Sequence, residues 1–156
     1  MKQRIYIDTS VIGGCFDVEF EEWSNLLFND FQNGLKTAVI SDITLDELND
    51  APLRVQDNIK TIPDEFIEII LADNDCRKLA DLYLKEGAVS KKYYEDALHI
   101  AIATINQVNV LASWNFKHIV NLDRIRQYNA VNMKSGYPIL EIRTPREILK
   151  FTEDEN

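Results

Sequence analysis

Apolar positions along this chain alternate between short continuous runs and stripes at helical spacing, which predicts strands and helices in turn. Arg4-Ile5-Tyr6-Ile7 reads as a short buried strand that stops at Asp8, with the hydroxyls Thr9 and Ser10 behind it. Gly13 and Gly14 predict a flexible turn, after which residues 22–31 place Trp23, Leu26, Leu27 and Phe31 on a helix. A second apolar run, 37–40, ends at Ser41, a residue suited to cap a helix that begins near Ile43 and carries Glu47. Pro52 closes that helix before another over 55–61, and Pro63 breaks the chain again. Residues 66–71 read as extended. Residues 74–85 repeat apolar side chains at Leu79, Ala80, Tyr83 and Leu84 and stop at Gly87, the pattern of an amphipathic helix. Ser90 precedes a helix over 91–103 whose apolar members are dense enough for burial on more than one side. A further strand over 108–113 leads out through Trp114 to His118, followed by a helix over 121–128 and a last strand over 139–142. Pro145 opens a terminal helix at its favoured first turn.

Strands alternating with helices imply an α/β fold with a mainly parallel central sheet covered on both faces. The 156 residues, 46% of them hydrophobic, suit one domain over 1–150 with an acidic tail over 151–156. The absence of a run of about eighteen apolar residues, and a basic start that reaches an acid within one strand, argue against a membrane span or secretory signal. The expected location is the cytoplasm. Cys15 and Cys76 lack a zinc-type spacing and read as two isolated reduced thiols.

Net charge is −9, which at first opposes a nucleic-acid partner. Its distribution changes the picture: residues 1–110 hold 10 Lys and Arg against 20 Asp and Glu, whereas residues 111–150 hold 7 against 3. A basic carboxyl-terminal third suits the steering of an anionic substrate, and acids gathered in one cleft would concentrate a divalent cation. Counting alone serves solvated charged faces equally well.

In open α/β sheets ligands bind beyond the carboxyl ends of the strands. Asp8 and Asn115 are predicted there, and Glu47 and Asp96 lie on helices able to face the same edge. Clustered carboxylates repel one another, and a hard divalent ion such as Mg²⁺ or Mn²⁺ relieves that repulsion while activating water and polarising a phosphoryl oxygen. Each acid also has a plainer reading: Asp8 as a helix cap, Glu47 as a surface glutamate beside Asp46 and Asp50, Asp96 as a solvent-facing acid beside Glu95. His99, one helical turn from Asp96, reads as a packing residue rather than a ligand. His118 reads the same way.

Four segments taken together, 6–12 (Tyr-Ile-Asp-Thr-Ser-Val-Ile), 44–48 (Thr-Leu-Asp-Glu-Leu), 95–101 (Glu-Asp-Ala-Leu-His-Ile-Ala) and 113–119 (Ser-Trp-Asn-Phe-Lys-His-Ile), resemble in order those of PIN-domain proteins. The likeness is to the VapC-like toxin ribonucleases of type II toxin-antitoxin pairs. It implies a PIN-like three-layer α/β/α fold, Asp8, Glu47 and Asp96 as metal ligands for Mg²⁺ or Mn²⁺, and Thr9 or Ser10 as hydroxyl support. It also implies an RNA substrate and a protein antitoxin as partner. Many PIN domains carry a fourth aspartate where this chain has Asn115, so a second ion would be held less firmly. Asn115 then orients water or phosphate around one ion, and Lys117 and His118 are candidates for phosphate contact. Phe20, Trp23 and Leu27 suit a partner or homodimer surface and a core helix equally.

A degenerate PIN module that binds RNA or protein without cutting is the alternative in another class. A metal-dependent phosphatase is disfavoured, because Ser10 stands where an Asp-x-Asp pair would place its second acid.

Overall fold

A computed structural model describes residues 2–154, with side chains described through residue 150. Five strands, β1 (Arg4–Ile7), β2 (Thr37–Ser41), β3 (Ile67–Ile70), β4 (Val110–Ala112) and β5 (Ile142–Arg143), form one sheet in the order β3-β2-β1-β4-β5. Every neighbouring pair is parallel; Tyr6 sits opposite Val39 on one side and Leu111 on the other. Parallel strands need crossovers, and among the described residues eight α-helices accompany them: α1 (Thr9–Gly14), α2 (Glu21–Gln32), α3 (Asp42–Leu48), α4 (Leu53–Asn58), α5 (Asn74–Lys85), α6 (Tyr94–Ile105), α7 (Leu122–Lys134) and α8 (Pro145–Asp154).

The period-2 alternation of the strands divides the apolar residues between two cores. Tyr6, Val39 and Leu111 pack with α5, α6 and α7, while Ile5, Ile7, Ala38, Ile40, Val110 and Ala112 pack with α1, α2, α4 and α8. The result is the expected three-layer α/β/α arrangement. Helix α6 buries every residue from Ala97 to Thr104, which accounts for its dense apolar sequence. Among the described residues, no helix is long and apolar enough to cross a membrane.

Several boundaries differ from the sequence expectation, each for a local reason. Gly13 and Gly14 are not a flexible turn but the last residues of α1, a helix capped by Asp8, whose side chain accepts from Val11 N. A Cβ on Gly14 would lie 2.6 Å from Ser24 Oγ and 2.9 Å from Trp114 Nε1, so the glycine permits close helix packing. The helix expected over 55–61 starts directly after Pro52 as α4 and finishes in a 3-10 turn, Ile59–Thr61. Similarly, Lys91–Tyr93 is a 3-10 turn leading into α6. Helix α7 runs on to Lys134, beyond the expected 128, and Gly136 follows with φ +83°. The last strand lies at 142–143 rather than 139–142, because the Asn129 side chain occupies the backbone of Leu140, accepting from its N–H at 2.7 Å and donating to its carbonyl at 3.1 Å. Of the expected acidic tail, residues 151–154 continue α8 in their backbone, while 155 and 156 lie outside the described residues.

Strand order reverses between β1 and β4, the position where open α/β sheets form their ligand crevice. Asp8 follows β1 directly and Ser113 follows β4 directly, so both lie at the mouth of that crevice.

Candidate active site

Asp8 is only 5% exposed, and hydrogen-bond donors surround its carboxylate. Ser10 Oγ donates to Oδ1 at 2.5 Å, Val11 N to Oδ1 at 3.2 Å, and Ser113 Oγ to Oδ2 at 2.6 Å. The hydroxyls are themselves fixed: Ser10 Oγ accepts from Trp114 N at 2.9 Å, and Ser113 Oγ accepts from Asn115 N at 2.9 Å. Burial raises the Asp8 pKa, and the donors from Ser10, Ser113 and Val11 together with the charge of His99 offset only part of that rise.

Glu47 reaches the same edge from α3, a helix held at its start by a reciprocal capping box between Ser41 and Thr44. Thr9 Oγ1 donates to Glu47 Oε2 at 2.7 Å, and His99 Nε2 lies 2.6 Å from Oε1. Desolvation would raise the Glu47 pKa, yet the hydrogen bond and charge of His99, with Thr9, outweigh it and hold the carboxyl below the usual range. His99 is 1% exposed; its Nδ1 lies 2.6 Å from the Tyr6 hydroxyl, which in turn lies 2.7 Å from Ser41 Oγ. Burial works against a charged His99, but Tyr6, Glu47 and Asp8 prevail and push its pKa well above the ordinary value. An imidazolium donates from both nitrogens, to Glu47 and to Tyr6, and leaves the phenol free to donate to Ser41.

Asp96, in the first turn of α6, is the third acid. Burial raises its pKa to about 6; His99 and Asn115 pull it down, while the charges of Asp8 and Glu47 push it up. Asp96 therefore feels the charge of Asp8 and of Glu47, both far from it in sequence. As their side chains are placed, no three His, Cys, Asp or Glu groups among the described residues stand close enough together to hold an ion.

No protein-family profile and no curated protein matches this sequence. Solved structures do match in fold. VapC20 of Mycobacterium tuberculosis, a toxin that cleaves the sarcin-ricin loop, superposes with a TM-score of 0.57 over 73% of this chain and 92% of its own, at 13% identity. The fold is the PIN fold. VapBC2 from Rickettsia felis, bound to a promoter DNA fragment, matches with a TM-score of 0.55 at 16% identity over 91% of this chain and 98% of its own. FitAB bound to the IR36 DNA fragment matches with a TM-score of 0.57 at 12% identity over 90% and 94%.

Within this PIN fold the remaining predicted residues fall on the loop after β4. The Asn115 side-chain oxygen accepts from Lys117 N at 3.2 Å and His118 N at 3.0 Å, so it caps that loop, while its side chain also supports the charged form of Asp96. Lys117 is exposed. His118 is buried and stacks on Tyr93 with ring centroids 3.6 Å apart. Burial lowers its pKa, and the neighbouring charges of Lys117, Arg124 and Lys92 lower it further.

The sequence reading assigned His99 to packing, and packing is only half of its environment. Its spacing of one helical turn from Asp96 places both on one face of α6, and that was the available signal. Ser113, the partner of Asp8, followed a strand without any distinguishing pattern. Of the three residues left between core and partner surface, Leu27 is fully buried, and Phe20 and Trp23 are half-buried against the core of the α2 layer.

Proposed function

We propose that this protein is a divalent-metal-dependent endoribonuclease that hydrolyses RNA phosphodiester bonds, and that it is the toxin of a type II toxin-antitoxin pair. The observation that supports the reading is the convergence of charge on Asp96: burial raises its carboxyl to about 6, with Asp8 and Glu47 adding their repulsion. Such a set occurs at the switch point of a fold shared with a toxin that cleaves an RNA loop.

In kind, the donor set fits Mg²⁺ or Mn²⁺, which take carboxylate oxygens and retain water. Asp8, Glu47 and Asp96 would hold the ion after their carboxylates swing together from their present partners. When bound, the ion would supply a water of lowered pKa and charge stabilisation at the phosphoryl oxygens. The protein's own part follows from the hydrogen bonds. Ser10 and Ser113 orient Asp8, and Thr9 and His99 orient Glu47. Burial raises the Asp96 carboxyl to about 6 in the metal-free protein, and a bound dication would hold it ionised as a ligand. Lys117 lies exposed just beyond, within reach of an incoming phosphate. A co-expressed antitoxin is the proposed protein partner, and the cytoplasm the proposed location.

The second reading, a module that binds without cutting, is favoured by the saturation of Asp8 and by the dispersed carboxylates. The test is cleavage of a mixed pool of structured and unstructured RNA by purified protein in Mg²⁺, Mn²⁺ or EDTA, beside Asp96→Asn. Metal-dependent cleavage that the variant loses supports the nuclease; RNA binding with no cleavage in any metal supports the module.

A further inference from the structure

The loop that leaves β4 separates two kinds of side chain. Trp114 and Phe116 turn toward α2 and α8, where they line a cleft of about 420 Å³ with Phe20, Trp23 and Arg146. Phe20 stacks on Trp114 with ring centroids 4.4 Å apart and planes inclined by 17°, and Phe116 lies 6.3 Å from Phe20 and is 51% exposed. Arg146 and Lys150 lie over the Trp23 ring, at 5.8 and 5.9 Å from its centroid. Two acids, Glu19 and Glu147, also line the cleft; Glu147 is engaged by Thr144 and faces Arg143. His118 instead stacks on Tyr93, and the charges of Lys117, Arg124 and Lys92 reach it; Arg124 Nη1 also donates to the Ala88 carbonyl, and among the described residues neither lysine makes an ion pair.

From this division we infer that the cleft of Phe20, Trp23, Trp114 and Phe116 is a nucleobase-stacking subsite for unpaired RNA, with Lys92, Lys117 and Arg124 holding the adjoining phosphates. The inference rests on the ribonuclease reading and assigns the substrate's flanking nucleotides to a place. Three features argue for RNA as the occupant. The exposed Phe116 ring, beside the half-buried Phe20 that stacks on Trp114, offers an aromatic face on which a planar base can stack. Cations on both sides of the loop match a polyanion rather than a neutral peptide. Finally, the cleft is joined to the acids by the chain itself, because Trp114 N donates to Ser10 Oγ, which donates to Asp8. A strand held on both sides of the loop would thus bring a phosphate to the crevice mouth.

Both tryptophans of the chain, Trp23 and Trp114, line the cleft, so their emission reports on it. The experiment titrates the full chain in EDTA with a single-stranded ten-nucleotide RNA of mixed sequence, and with an abasic ribose-phosphate chain of the same length. The expected result is quenching of tryptophan emission by the RNA and none by the abasic chain. Phe116→Ala should weaken RNA binding roughly 5- to 100-fold, the size of one lost base stack, with no change for the abasic chain, and Phe116→Trp should retain binding. Equal affinity of wild type and Phe116→Ala for the RNA, or RNA binding without quenching, as for a cleft that takes a protein side chain, overturns the subsite. If the wild type meanwhile cleaves RNA in metal, only the subsite fails; a wild type that neither binds nor cleaves RNA removes the ribonuclease reading and the subsite together.

Discussion

His99 Nε2 lies 2.6 Å from Glu47 Oε1, which ties the central helix α6 to the carboxylate that α3 brings to the sheet edge. The opposite ring nitrogen meets Tyr6 of β1, so one buried imidazole links three elements at the crevice. Replacing His99 with Ala removes one partner from Glu47, which keeps Thr9, and one from Tyr6, which keeps Ser41. The expected cost is about 2–4 kcal/mol of stability, read by denaturant unfolding. His99→Gln, which keeps a donor toward Glu47, should recover part of the stability, and its RNA cleavage should fall about 10- to 100-fold through the loss of Glu47 orientation. Wild-type cleavage by the Gln variant would remove His99 from any positioning role.

Ser113 Oγ donates to Asp8 Oδ2 at 2.6 Å and itself accepts the N–H of Asn115. Ser113→Ala should therefore cost about 1–3 kcal/mol, because it strands both a buried carboxylate oxygen and a backbone donor. It should also raise the Asp8 pKa further, since that hydrogen bond is one of the influences lowering it. Carboxyl titration by NMR in the variant checks the direction; a fall in the Asp8 pKa would contradict it.

Two carboxyls and one imidazole make stability depend on pH in a definite direction. Asp96 is raised from 3.8 to about 6, so its contribution to folding is greatest when it is protonated and is lost as pH climbs from about 4 through 6; Asp8, also raised, acts in the same direction. His99, raised above 6.5, adds stability below 6.5 that fades as pH rises through its folded pKa. Glu47, held below 4.5, acts oppositely and loses its contribution in acid. The metal-free protein should thus show a Tm that falls from pH 5 to pH 7, a slope that Asp96→Asn flattens. Mn²⁺ should restore Tm at pH 7 far more than at pH 5. A Tm that rises over this interval in the metal-free protein would contradict the account.

Gly14 brings the end of α1 within van der Waals distance of α2 and Trp114. Gly14→Ala should force Ser24 and the Trp114 indole apart and cost about 1–3 kcal/mol. Altered near-ultraviolet dichroism with native secondary structure would register the displaced indole. An unchanged spectrum and Tm would mean that the contact relaxes freely.

The parallel sheet and its two helical layers were legible because β1, β2 and β4 are short, apolar and flanked by turn or capping residues, and because α5 repeats its apolar positions at helical spacing. Helix α1 was not, since Thr9 to Gly14 mixes β-branched residues with two glycines and is held by tertiary packing and the Asp8 cap. The displaced β5 was hidden because Asn129, eleven residues before Leu140, takes that backbone by a side-chain contact no local pattern announces. At the candidate site, placement after strands and on helices left each acid a plain local reading as well, and the three were singled out together by the resemblance of the four segments. Their supporting groups were harder: Ser113 and His99 gain their meaning only when β4 and α6 are docked beside β1 and α3.

The central claim, that Asp8, Glu47 and Asp96 act as one metal-dependent centre, is tested most directly by measuring Mn²⁺ occupancy and RNA cleavage on the same samples of wild type, Asp8→Asn, Glu47→Gln and Asp96→Asn. Wild type should bind Mn²⁺ and cleave, and each variant should lose occupancy and cleavage together at working metal concentration. Mn²⁺ binding that the three substitutions leave unchanged, or cleavage that persists without it, would contradict the account.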